Sequence, residues 1–269
     1  MKKQNVLSIL EPYLRLESSV WADTLCLTEE VLSMVEAPEG FEAFRHFLQD
    51  LERCPGKALI VRAERHSFSP ERICRLVKHL WDLQHEHLGS IFSHMPLSEV
   101  TVKREANLFS QFVHWLRSVK RPVIMVFQGE IILPFLGIGL ACDYRVATSD
   151  TVFYNDAGIL DIPPGLGLLY FLPAYVGFGR AQSLVTMTEK MDTKKALDWG
   201  LLDQTVSAET LDVALEAQAK RMSAYSPETL GAIKALLNVH LPDFDEYFRI
   251  ESRCVEQALK CEPRKNLSE

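Results

Sequence analysis

The chain reads as an α/β protein, and three observations predict it. An amphipathic helical pattern over 41–51 leads through Cys54-Pro-Gly56 into Ala58-Leu-Ile-Val61, a short apolar run bounded by turn residues. A helix followed by a strand buried on both faces is the unit of a parallel sheet. Second, Arg121-Pro-Val-Ile-Met-Val-Phe-Gln-Gly129 is a buried strand closed by a glycine turn, and it runs into a second apolar segment ending at Cys142-Asp143. Third, from Ser207 to Leu259 the pattern is that of three consecutive helices, broken at Ser226-Pro227 and Leu241-Pro242.

The remaining elements follow from local chemistry. Residues 13–27 alternate as one or two strands, with Asp23 at a turn. Ser69-Pro70 has the form of a helix start, an N-cap hydroxyl followed by proline at the first helical position, with helix expected to about Leu88. Residues 89–100 read as loop, and 103–119 as a helix with Leu108, Phe112, Trp115 and Leu116 on its apolar face. Tyr144–Ala147 and Thr151–Tyr154 read as strands, and 159–168 as a Pro/Gly-rich loop with helix from Leu169. Asp192–Gly200 is a short helix ended by glycine, followed by a strand over 201–206. The reading divides the chain into a core, 1–206, and a helical region, 207–269.

Composition narrows the function classes. With 269 residues and 47% hydrophobic content the chain can bury a substantial core. A net charge of −7 argues against nucleic acid or an anionic membrane as partner. No apolar run reaches the roughly 18–20 residues of a membrane span, and Glu11-Pro12 interrupts the apolar start before an export signal is complete. The six cysteines are scattered without metal-ligand spacing, which fits reduced thiols in a cytoplasmic protein. His85 and His87 lack companion ligands, so no metal is expected.

The motifs resemble those of the crotonase superfamily of enoyl-CoA hydratases and isomerases. That family's K-P-V-I…N-G…G-G-G…C-D is echoed by Arg121-Pro-Val-Ile124, Gln128-Gly129 and Cys142-Asp143. Its I-P-G-x-G is echoed by Pro163-Pro-Gly-Leu-Gly167, its V-G-x-x-x-A by Val176-Gly177 and Ala181, and its A-x-x-x-G-L by Ala196 and Gly200-Leu201. The resemblance implies a spiral of ββα units with a C-terminal helical region that forms trimers, or dimers of trimers. It implies an acyl-CoA or acyl-carrier thioester as ligand, with coenzyme A part of the substrate and no separate cofactor.

Carried over position by position, the resemblance puts the two hydratase glutamates at Gly137 and Ala157, neither of which can move a proton. Its two oxyanion-binding amides fall at Arg72 and at Pro134; proline has no N–H to give. A one-residue shift would offer the amide of Phe135 instead. Arg72, Pro134, Phe135, Gly137 and Ala157 are therefore the expected substrate-facing positions. Asp156 and Asp161 flank the second missing glutamate and are the candidate displaced acids, with Tyr154 and Asn155 beside them. Asp143 is expected to be structural. Two functions remain open: a thioester-binding enzyme that isomerises, decarboxylates or hydrolyses rather than hydrates, and a catalytically silent binding or assembly subunit.

Overall fold

The computed structural model describes residues 8–36, 38–52, 57–75, 97–155 and 162–259. Its frame is a six-stranded sheet in the order β1-β2-β3-β4-β6-β9. The strands are β1 (Leu14–Ser18), β2 (Ala22–Leu27), β3 (Ala58–Ala63), β4 (Val123–Phe127), β6 (Tyr144–Thr148) and β9 (Gln204–Val206). Only the β1–β2 hairpin pairing is antiparallel in this sheet; the other four pairings are parallel. A smaller sheet joins β5 (Glu130–Ile132), β7 (Val152–Tyr154) and β8 (Lys190–Asp192).

Alternation along the central strands sends side chains to two cores. Leu59, Val61, Met125 and Phe127 enter the large one, against helices α1 (Pro38–Glu52), α2 (Leu97–Ser118) and α3 (Leu133–Leu140). Ala58, Ile60, Ile124 and Val126 enter a smaller one, closed by Leu211, Leu215 and Ala219 of α7 (Leu211–Met222). Between these lie α4 (Leu168–Val176), α5 (Phe178–Met187) and α6 (Thr193–Asp198), and the chain proceeds through α8 (Pro227–Asn238) to α9 (Phe244–Leu259).

The mixed α/β class and the closing series of helices agree with the sequence reading, while several boundaries move. Helix α2 begins at Leu97, inside the stretch expected to be loop. The strand expected over 201–206 is confined to Gln204–Val206, because Leu201 and Leu202 return amides to Ala196 at the end of α6. Strands β5 and β8 have three residues each and were not expected. Such short segments carry too few alternations to announce themselves. The expected Ser69 cap is present: helix begins at Pro70, and the expected extension beyond residue 75 lies outside the described residues.

Buried charge ties the layers together. Arg121 is 1% exposed; its guanidinium reaches Asp23 Oδ2 at 2.5 Å and donates to the carbonyls of Lys57 at 2.9 Å and Ala58 at 3.2 Å. It thereby clamps β2, β3 and the entry to β4. Asp143, as expected, is structural: its carboxylate accepts from Val123 N at 2.7 Å and pairs with Lys234 Nζ of α8 at 2.8 Å. Lys234 also donates to the Arg121 carbonyl at 2.9 Å. One buried ammonium therefore holds the C-terminal helices onto the start of β4. Replacing it leaves Asp143 buried without a cation, which costs about 3 kcal/mol or more. Lys234→Met is expected to lower the urea midpoint accordingly, with an unchanged slope.

Candidate active site

The junction β4–turn–β5–α3 forms where the sequence places it. Gly129 holds φ +73°, so the chain can turn from β4 of the large sheet into β5 of the small one, and Ile132 leads into α3 in extended conformation. No side chain caps this helix, and Pro134 lies in its first turn. A missing N–H costs little at that position, because first-turn amides lack partners within the helix in any case. The same residue subtracts a donor from the place where the resemblance needs one.

The amide of Phe135 is still present, but its side chain determines what surrounds it. The ring is fully buried and stacks on Phe68 with centroids 3.6 Å apart and planes at 13°. It meets the edge of Phe127 at 6.1 Å, and Phe127 in turn meets Phe153 at 5.1 Å. Phe68 belongs to the turn leading to the helix that starts at Pro70, and its carbonyl accepts from Ile132 N at 2.9 Å. The two segments expected to supply oxyanion amides are therefore brought together, and aromatic rings pack between them. Phe135 serves as core in this arrangement.

At Arg72, the other expected donor, the backbone amide turns to Ser69 Oγ at 3.4 Å, an ordinary N-cap bond. The Arg72 side chain approaches Glu30 Oε1 at 3.4 Å, and its Nε is buried without a partner. Gly137 is the most constrained of the set. A Cβ placed there would lie 2.6 Å from both Leu166 O and Leu168 N. The turn of the Pro163–Gly167 motif thus occupies the space through which a side chain at 137 would leave the helix. Any acid at that position requires the turn to move.

Asp156, Ala157 and Asp161 lie outside the described residues. Asn155 is committed to structure, its amide donating to the carbonyls of Leu184, Val185 and Thr188 at 2.9–3.2 Å. Tyr154 donates to Glu130 Oε1 at 3.1 Å across β7 and β5, and that carboxylate raises the phenol above its ordinary range. Among the described residues, no cluster of three or more His, Cys, Asp or Glu side chains could hold a metal.

A residue that sequence reasoning missed stands behind the same turn. Glu251 of α9 accepts from Gly167 N at 3.1 Å, and the Leu166 amide and the Tyr247 hydroxyl also donate to its carboxylate. Leu166 and Gly167 are consecutive left-handed residues, φ +60° and +73°, which turns both amides toward one side. Burial pushes the Glu251 carboxyl up to about 7, against the lowering effect of those three donors. The Tyr247 phenol is raised as well, by burial and then by Glu251. Eighty-four residues separate Glu251 from Gly167, and the α9 pattern gives no hint that its acid points inward.

Comparison with known proteins places these features. The model of the Enoyl-CoA hydratase/isomerase family matches residues 97–265. A putative enoyl-CoA hydratase/isomerase of Bacillus subtilis, YngF, is 27% identical over 170 residues, covering 63% of this chain and 65% of that protein. The trans-2-decenoyl-[acyl-carrier-protein] isomerase of Streptococcus mutans is 25% identical, covering 50% of this chain and 51% of its own. The matched stretch thus spans about half to two-thirds of such relatives. In three dimensions the enoyl-CoA hydratase of Bacillus halodurans superposes with a TM-score of 0.75 at 17% identity, covering 95% of this chain and 98% of the other. The putative polyketide biosynthesis enoyl-CoA hydratase of Bacillus subtilis gives 0.70 at 15% identity, covering 92% of each.

Restoring the acid by substitution is expected to fail on packing grounds. Gly137→Ala should cost about 3 kcal/mol of stability, since the added carbon meets backbone that has no rotamer to change. Gly137→Glu should cost at least as much and produce no hydration of crotonyl-CoA, followed by thermal unfolding and by loss of enoyl absorbance.

Proposed function

The chain belongs to the enoyl-CoA hydratase/isomerase family, and on that premise we propose that it binds an acyl thioester without performing the family's water addition. The observation that carries this is the contact at Gly137, where backbone stands in the exit path of the acid that would activate water. The proline at 134 and the Ser69-bound amide of Arg72 point the same way, since each removes a donor from the oxyanion position. One such donor is worth ~3–4 kcal/mol in acyl chemistry, and a positioned acid or base contributes about 10²–10⁴ in rate.

The ligand class in this reading is a thioester of coenzyme A or of an acyl carrier protein. The family supports it, as does a relative named for an acyl-carrier-protein substrate. Coenzyme A is then part of the substrate, and no resident cofactor is needed. Isomerisation, decarboxylation or thioester hydrolysis fits the absent acid pair better than hydration. The proposed setting is the cytoplasm; no helix among the described residues is long and apolar enough to cross a membrane.

A second reading, a catalytically silent binding or assembly subunit, is favoured by the face of α8. Ile233, Leu236 and Leu237 follow helical spacing, and Leu236 and Leu237 are 69% and 67% exposed. An apolar stripe of that kind calls for a covering surface. In both readings it is the proposed contact of a homotrimer or a dimer of trimers.

Two measurements test these readings. Crotonyl-CoA hydration should lie at least about 10⁴-fold below that of an ordinary hydratase, while calorimetry with acyl-CoA and acyl-carrier ligands should show binding. A hydratase-like rate sinks the leading reading, and absence of any thioester binding leaves the assembly role. Leu236→Glu with Leu237→Glu should convert the assembly to monomers in light scattering; an unchanged mass would place the contact elsewhere.

A further inference from the structure

Glu251 has no part in the proposed thioester chemistry. Yet its environment is unlike that of the other deeply placed carboxylates among the described residues. Asp23 is paired with Arg121 and Asp143 with Lys234, at 2.5 and 2.8 Å. Among the described residues no cation pairs with Glu251; it is held by two backbone amides and one phenol. Tyr247 faces it from α9, with the exposed thiol of Cys254 near Tyr247. From α4, Tyr170 spends its hydroxyl on the Pro242 carbonyl at 2.5 Å. On the neighbouring helix α2, Arg117 is bonded to Asn238 at 2.8 Å and lies over the rings of Tyr170, Phe171 and Phe244.

What Glu251 holds is equally specific. Its carboxylate joins α9 to the 165–167 turn, and Phe248, one turn earlier on α9, packs its ring 3.3 Å from where a Gly167 Cβ would be. The opposite side of the same turn is the backbone that closes on Gly137. Helix α9, turn and α3 thus form a stack in which the middle layer is clamped by one side chain.

We propose that Glu251 is a proton-operated latch: protonated, it keeps α9 seated on the 165–168 turn, and ionised, it lets helix and turn part, releasing the space beside Gly137. This goes beyond the acyl-thioester reading and does not require it. The direction follows from linkage. In the latched form the carboxyl titrates at about 7, and in an opened, solvated form near its ordinary 4.5. Between those values the latched form keeps a proton that the open form has lost. Rising pH therefore favours opening across that window and has no further effect above it.

Amide hydrogen exchange on the full-length protein, expressed as protection factors so that intrinsic rates cancel, reads the latch directly. Between pH 5 and pH 8, protection across 165–172 and 244–256 is expected to fall on the order of a hundredfold. Strands β4 and β6 should hold steady. Glu251→Gln mimics the protonated acid and should make the profile flat. Tyr247→Phe removes a donor to the ionised form and should move the fall to higher pH. A flat wild-type profile, an equal fall in Glu251→Gln, or an equal fall in the central strands overturns the proposal. The wild-type profile and the Tyr247→Phe shift decide it even if the glutamine variant does not fold.

Discussion

The approach of Leu166 and Leu168 backbone to Gly137 is the constraint on which the rest of this architecture depends. Helices α3 and α4 can pack closely there because one partner has no side chain. The closeness places the signature turn against the first turns of α3, and from that placement follows the absence of room for an acid. Packing and chemistry are the same contact seen from two sides. A larger residue would open the helix pair before it could reach any ligand.

The aromatic stack extends that logic to the oxyanion position. In this chain a buried Phe135 stacked on Phe68 occupies the ground between the two segments that the resemblance assigns to thioester polarisation. Proline at 134 is then consistent with its neighbours. A donor facing a packed ring would be a buried amide without a partner, and proline removes the amide that would be stranded. The loss of the donor and the filling of its surroundings accompany each other.

How much of this was legible beforehand differs from residue to residue. The junction at 121–143 could be read because its pattern is local: an apolar strand, a turn closed by glycine, and an apolar helix start lie within two dozen residues. The missing donor could be read from one letter, since proline lacks an N–H in any fold. The direction of the Phe135 ring could not, because a phenylalanine beside a binding site and one in a core look alike in sequence. The short strands β5 and β8 were missed for want of enough residues to show a period. Asp156, Ala157 and Asp161 stand outside the described residues, so the displaced-acid reading keeps its original basis in position alone.

Sequence by itself determined the α/β class, the order of the main elements, the family resemblance and the absence of proton-transfer groups at 137 and 157. These are properties of residue type and local spacing, which one chain displays without folding. Tertiary structure alone decided that Gly137 is closed by backbone, that Phe135 belongs to the core, and that Glu251 meets the amides of a turn 84 positions away. Each of those depends on which surfaces are brought within a few ångströms, and long-range proximity leaves no periodic trace in the order of the residues.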